Sequence, residues 1–159
     1  MNELKPEGRQ VLVQIFSGVL HAGAKLKDVS LCGFIGAYND TERECGVEML
    51  ESLMSANLTD LTSLNLVDNK AFSKSSTFCE IACNLIARQT SLKILKVNRI
   101  NNEESVTKFA QVIRQSSLEE LEVSKSKAHS AASFVEAISE GDSLHTLKVL
   151  DITYSDLIS

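Results

Sequence analysis

The chain of 159 residues contains no tryptophan, a single proline and few aromatic residues, which make up 5% of its composition. Because bases and sugars are commonly stacked on aromatic side chains, this scarcity argues against a binding surface for such ligands. The charge balance agrees, since 16 Lys and Arg face 21 Asp and Glu, a formal net charge of −5. No basic block marks a nucleic-acid surface, and we expect no nucleic-acid partner.

Long hydrophobic runs are also missing. The polar residues 1–7 lack the apolar stretch and the small-residue cleavage site of a secretory signal. No segment of the sequence is long and apolar enough to span a bilayer. We therefore expect a cytoplasmic protein without membrane insertion, and this compartment favours reduced thiols over disulfides.

Four cysteines and three histidines are the candidates for metal or nucleophilic chemistry. Cys79 and Cys83 are one helical turn apart, so both thiols could face one ion. A structural zinc site usually needs four ligands in paired knuckles, and Cys32 and Cys45 fall on other predicted elements. Buried cysteine acting as a small apolar filler is the preferred interpretation. With no G-x-S-x-G elbow and no phosphate-binding glycine loop, we expect no metal, no cofactor and no enzymatic activity.

An internal repeat organises most of the sequence. Three segments share the pattern Ser-Leu-x-x-Leu-x-Val, at residues 91–97, 117–123 and 143–149. Their leading leucines are 26 residues apart in both intervals. Two looser copies come first, at residues 26–31 and 61–69, and the last copy has a second possible register at residues 147–152. The alternation of apolar and polar residues in these copies predicts five short strands.

Helical patterns separate the strand motifs. Apolar residues recur at the spacing of one helix face in four intervals: Val47, Leu50, Leu53 and Met54; Phe78, Ile81, Ala82, Leu85 and Ile86; Val106, Phe109, Ala110 and Ile113; Ala131, Phe134, Val135 and Ile138. The same spacing in Val11, Ile15 and Val19 predicts a helix ahead of the first strand. Thr41 and Thr77, each followed three residues later by a glutamate, predict capping boxes at two helix starts. Such strand–helix units cannot bury their apolar faces alone, so neighbouring units must stack.

This pattern resembles the leucine-rich-repeat superfamily, nearest to its helix-containing, ribonuclease-inhibitor-like branch, over about residues 24–152. The resemblance implies an α/β fold, a right-handed solenoid of about five strand–helix units. Its parallel sheet would line the concave side and its helices the convex side. We expect one domain over residues 1–159, with an N-terminal helix or cap at 1–23 and a tail or truncated next unit at 153–159. The asparagine that ends the family's strand motif is present only as Asn69.

The residues between the buried leucines of such strands point to the concave surface, where a partner would bind. At the central exposed position the five strands carry Ser30, Asn65, Lys96, Glu122 and Lys148. The candidate partner-binding residues on this face are Asn65, Lys96, Asn98, Glu120, Glu122 and Lys148. Charges of both signs side by side suit a protein partner. The competing and favoured interpretation is a lateral ion-pair ladder, which stabilises each pair by only about 0.2–1 kcal/mol.

The fifth strand motif leaves a sheet edge unpaired beside Val149, Leu150 and Ile152. Either the chain is a piece of a longer array or a partner subunit covers this edge, and we expect the edge to be a docking surface in a larger complex. Together these features favour a non-catalytic protein–protein interaction module, a subunit or scaffold of an assembly. The alternative is a regulator of an enzyme, of the inhibitor or GTPase-activator type.

Overall fold

The computed structural model describes residues 6–34, 40–56 and 58–154, which form five α-helices and five β-strands. The helices are α1 (Pro6–His21), α2 (Asp40–Ser55), α3 (Ser76–Arg88), α4 (Glu103–Arg114) and α5 (Ala128–Glu140). The strands are β1 (Asp28–Ser30), β2 (Ser63–Asn65), β3 (Ile94–Asn98), β4 (Glu120–Ser126) and β5 (Val149–Tyr154). Two short 3-10 turns, Lys70–Ser73 and Asp142–His145, precede α3 and β5. None of these helices has both the length and the apolar character needed to span a bilayer.

The five described strands are parallel and lie in one sheet, in the same order as in the chain. The helices follow the same order, because α1 contacts α2, α2 contacts α3, α3 contacts α4 and α4 contacts α5. The protein is therefore α/β, and each strand–helix unit is added beside the one before it. Leu64, Leu95 and Leu121 are direct neighbours across three successive strands, as the repeat predicts.

One apolar core lies between the sheet and the helices. The strand leucines at this repeated position have no exposed surface in β2, β3 and β4. The helix residues that bury them come from the predicted stripes of α3 and α4: Phe78, Ala82, Leu85, Ile86, Val106, Phe109 and Ile113. Phe72, in the first 3-10 turn, lies edge to face against Phe78 and Phe109, with ring centroids 4.7 and 5.7 Å away. These aromatic contacts join two neighbouring units.

A backbone feature repeats with the strands. Near the end of each of the first four strands, seven positions after the first leucine of the motif, one residue has a positive φ angle. These residues are Gly33, Asp68, Arg99 and Lys125, with φ values of 67, 61, 60 and 54°. This left-handed conformation is uncommon for residues other than glycine. Its recurrence at one position shows that the units repeat in backbone geometry as well as in sequence.

Two helix starts differ from the predicted capping boxes. The N-cap of α3 is Ser75, whose Oγ accepts a hydrogen bond of 3.2 Å from the backbone N–H of Phe78. Thr77 therefore lies in the first turn of α3 and does not cap it. Helix α2 begins at Asp40, which places Thr41 inside the helix as well. Phe78 lies in the first turn of α3, and its ring is fully buried.

The last strand uses the second of its two possible registers. The range Val149–Tyr154 forms β5, and Leu150 lies opposite Leu121. In the first register Leu147 would have taken that place, and Leu144 would not lie in a 3-10 turn as it does. The observed register gives a six-residue strand, and its β-branched and aromatic residues suit a pleated strand better than the segment before it.

The register leads to a test of side-chain burial. Leu121 is fully buried and Leu150 is 46% exposed. We expect Leu121→Ala to lower the free energy of unfolding by about 2–5 kcal/mol, because it leaves a cavity in the core. Leu150→Ala should cost only about 1 kcal/mol, because much of its side chain already contacts water. Urea unfolding followed by circular dichroism would measure both, and equal losses would contradict the burial difference.

Candidate interaction surfaces

The outer face of the sheet carries the side chains that alternate with the buried leucines. Its central row crosses the five strands through Ser30, Asn65, Lys96, Glu122 and Asp151. The first four members are those predicted from the repeat. The prediction that Lys148 closes the row is wrong, because β5 starts one residue after it and Asp151 takes the place beside Glu122.

Lys96 is matched by carboxylates within the chain. Its Nζ lies 2.7 Å from a carboxylate oxygen of Glu120 and 3.9 Å from one of Glu122. The hydrogen bond with Glu120, followed by the attraction of nearby carboxylates, raises the pKa of Lys96. All three side chains are about one third exposed or less. Of the predicted ladder Lys96–Glu122–Lys148 they supply the Lys96–Glu122 pair, whereas Lys148 pairs with Glu119.

Lys148 takes part in a second ladder, one position nearer the start of the strands. Its Nζ lies 2.5 Å from one oxygen of Glu119, and Lys93 lies 3.6 Å from the other. The hydrogen bond from Lys148 lowers the pKa of Glu119. Such exposed pairs contribute little to stability. They nevertheless show that Lys93, Glu119 and Lys148 each have a charged partner within the chain.

One corner of the outer face keeps an excess of negative charge. Glu122 and Asp151 are direct neighbours on β4 and β5. Each accepts a hydrogen bond from a hydroxyl of its own strand, from Ser124 at 3.2 Å and from Thr153 at 2.6 Å. Like charges placed opposite each other destabilise a sheet, so this corner offers a favourable contact to a positively charged group of a partner.

Two predicted partner-binding residues stabilise turns. Asn98 is fully buried. Its Oδ1 accepts from the backbone N–H of Asp68 at 3.0 Å, and its Nδ2 donates to the carboxylate of Asp68 at 3.2 Å. Asn65 accepts from the backbone N–H of Val67 at 3.0 Å. Asn98 thus has no exposed surface for a partner, which corrects its predicted place on the binding face.

Asp68 also joins units that are not adjacent. Lys125 donates to its carboxylate at 2.7 Å, although the unit that contains Arg99 lies between them. This hydrogen bond, with smaller contributions from Asn98 and Arg99, lowers the pKa of Asp68. The sequence does not reveal this pair, because the left-handed positions are recognised by their backbone angle and are occupied by four different residue types.

A polar groove of about 360 Å³ lies between α1 and α2. Hydrogen bonds join its two walls: Ser17 to Ser52 at 2.7 Å, and Gln10 to Glu48 at 3.3 Å. The thiol of Cys45 donates to the same glutamine at 3.2 Å. Because these polar side chains form hydrogen bonds with one another, they join α1 to α2.

The buried thiols are held in the neutral form. Cys79 and Cys83 are buried, and burial raises the pKa of Cys79 and raises that of Cys83 to about 12. The thiolate is the form that binds metals or attacks substrates, so these two side chains behave as apolar filler. In residues 6–34, 40–56 and 58–154, no three or more His, Cys, Asp or Glu side chains are grouped so that they could hold a metal ion.

The β5 end of the protein exposes apolar surface. Leu150 occupies the position of Leu64, Leu95 and Leu121, which have no exposed surface, yet it is 46% exposed. We define the β5 end by four exposed apolar residues, Val135, Leu144, Val149 and Leu150. The predicted edge at β5 is present, but Val135 was predicted to lie in the core. It is exposed because no described helix follows α5 as α4 follows α3.

The other end of the array is apolar too. Four side chains of α1 form what we call the α1 face, Val11, Leu12, Ile15 and Val19, and each is exposed. The helix itself was predicted from Val11, Ile15 and Val19. Val13 and Leu20 point into the core instead, so the stripe that marked the helix faces outwards.

Comparison with known proteins gives no further guide, because no protein-family model, no curated protein and no solved structure matches the chain.

The contacts of Asn98 predict a structural role. Asn98→Ala removes both hydrogen bonds to Asp68, each of which contributes about 0.5–1.5 kcal/mol, so the free energy of unfolding should fall by about 1–3 kcal/mol. The matched change Asn84→Ala, at an exposed position of α3, should stay within about 0.5 kcal/mol of the original protein. Denaturant unfolding would measure both, and a neutral Asn98→Ala variant would contradict the role.

Thiol burial predicts a graded reactivity. Cys32 is exposed, whereas Cys45, Cys79 and Cys83 are buried with raised pKa values. In the native protein at mildly alkaline pH, a disulfide reagent should therefore modify one thiol quickly and the others only after unfolding. Cys32→Ser should abolish the fast phase. Rapid modification of several thiols in the native protein would show that the helices do not cover them.

Proposed function

We propose that the chain is a leucine-rich-repeat solenoid of the ribonuclease-inhibitor-like kind, and that it acts as a non-catalytic module that joins a protein assembly through its β5 end. The solenoid proposal is supported by the in-register leucines of successive parallel strands, by the chain-order packing of the helices and by the left-handed residue that recurs near four strand ends. A stack of this kind offers curved surfaces and two ends.

The exposure of Leu150 carries the functional proposal. At the equivalent position, the leucines of β2, β3 and β4 have no exposed surface, because the next unit covers them. Leu150 is 46% exposed, and Val135, Leu144 and Val149 lie exposed in the elements that flank it. Removal of apolar surface from water favours association, so the exposed apolar side chains at this end are candidates for contact with a partner.

The backbone of β5 adds a second attraction. Among the described strands β5 pairs with β4 alone, so its other edge presents unpaired N–H and C=O groups. A strand of a partner can pair with such an edge, with affinity from the backbone and specificity from the side chains. The carboxylates of Glu122 and Asp151 adjoin this edge, so a basic residue in the partner would add electrostatic specificity at the rim.

The proposal is tested by capture with variants of the β5 end. The tagged protein and the variant Leu150→Glu are used to purify binding proteins from the native source, and the recovered proteins are quantified by mass spectrometry. A partner in near-stoichiometric amount should be recovered with the original protein and be absent with the variant. A carboxylate in place of an apolar side chain that the partner covers should weaken binding at least about tenfold.

The control is Gln111→Glu, which adds the same charge at an exposed position of α4 and should recover the partner normally. Circular dichroism and thermal unfolding verify that both variants are folded. Recovery of the same partner by Leu150→Glu would overturn the proposed site. An enzyme whose rate changes on binding would favour the alternative function, a regulator, over a structural subunit.

A further inference from the structure

We infer that the β5 end binds a second copy of this chain, which docks with its α1 face, so that the copies join head to tail. This inference rests on the proposed function and names the partner. Each copy then uses two different surfaces, the α1 face of one and the β5 end of the next.

The polarity of α1 is the first reason. The side of α1 that faces α2 is polar, with Gln10, Ser17 and their hydrogen bonds to Glu48 and Ser52. The α1 face, away from α2, carries only apolar side chains, exposed by between 37% and 57%. A helix exposed to water normally turns its polar side outwards. The reversed arrangement in α1 indicates that a partner covers its outer side.

The shape of α5 is the second reason. Ala131, Ala132 and Ser139 lie one helical turn from Val135 on the same side of α5, and all three are small. The side chains of the α1 face are larger and project from their helix. Small residues on one helix let a helix with larger side chains approach closely. Cys83 is at the position in α3 that corresponds to Val135 in α5. Cys83 is 4% exposed because α4 covers it, whereas Val135 is 50% exposed. A second α1 would cover Val135 in the same way.

The sheet edges are the third reason. Each described strand pairs in parallel with the strand of the next unit, and β1 at one end and β5 at the other each have one free edge among the described strands. Continuing the register of the sheet places Val29 of the second copy beside Leu150. The second copy therefore fits as the next strand–helix unit, with its own α1 and β1 as the first elements.

The charges of the two surfaces do not oppose contact with a second copy, because the continued register places the uncharged Ser30 of that copy beside Asp151. The α1 face carries no charged side chain, and the four residues that define the β5 end carry none. Contact between these residues is therefore held by apolar burial and strand pairing. Because the two surfaces differ, the contact is heterologous, and its repetition gives open chains or a closed ring.

The experiment is sedimentation velocity of the full chain over a range of micromolar concentrations. The original protein should form species larger than a monomer as concentration rises, with the modest affinity of a small interface, on the order of micromolar. High salt should leave this association unchanged, because it screens charges and not apolar contacts. A protein that remains monomeric at the highest concentration overturns the inference.

Complementation by two variants decides the geometry. Ile15→Glu disrupts the α1 face and Leu150→Glu disrupts the β5 end, and each variant alone should be monomeric. An equal mixture should form a dimer, because the intact β5 end of the first variant meets the intact α1 face of the second. Gln111→Glu should associate like the original protein. If either variant is unfolded by circular dichroism, Val19→Glu or Val135→Glu replaces it at the same surface.

Other outcomes overturn the inference in distinct ways. If Leu150→Glu still associates while Ile15→Glu does not, two α1 faces pair with each other. If the mixture stays monomeric although each variant is folded, the two surfaces do not meet. A monomeric protein that still captures an unlike partner through Leu150 keeps the proposed function and removes the second copy. Loss of both association and capture would count against the proposed function as well.

Discussion

The burial of a strand leucine by the next strand–helix unit is the contact on which the rest of the structure depends. Leu64, Leu95 and Leu121 have no exposed surface because each has a neighbouring unit on both sides. No unit holds such a leucine away from water alone. The stability of each unit therefore comes from its neighbours. The units at the two ends have the same strand–helix pattern as those between them, but they expose apolar side chains that the inner units bury.

Much of this arrangement is readable from the sequence, for a physical reason. The period-2 pattern of a strand and the 3.6-residue pattern of a helix repeat in every unit, so the strand order and the buried leucines could be predicted. The register of β5 could not be decided, because two overlapping segments both place apolar residues at the three motif positions. The length of strand that pairs with β4 separates them, and that is a property of the sheet.

The candidate site was harder to predict than the fold. Alternation along a strand tells which side chains leave the core, and it correctly placed Asn65, Lys96 and Glu122 on the outer face. It does not tell which of them have partners within the chain. Asn98 is buried against Asp68 because of a left-handed turn, and no residue type in the sequence marks that backbone angle.

The two ends show why a repeat pattern misleads about exposure. A stripe such as Val11, Ile15 and Val19 has the spacing of a buried face, and the pattern cannot say whether a neighbour is present to bury it. Inside the array the neighbour is the next unit, so the same spacing correctly indicates that Phe78 and Phe109 are buried. In an end unit the spacing indicates which side chains a neighbouring unit would cover. An apolar stripe that stays exposed on an end unit has the same spacing as a covered one, and its exposure is the observation that supports the proposed association through the two ends.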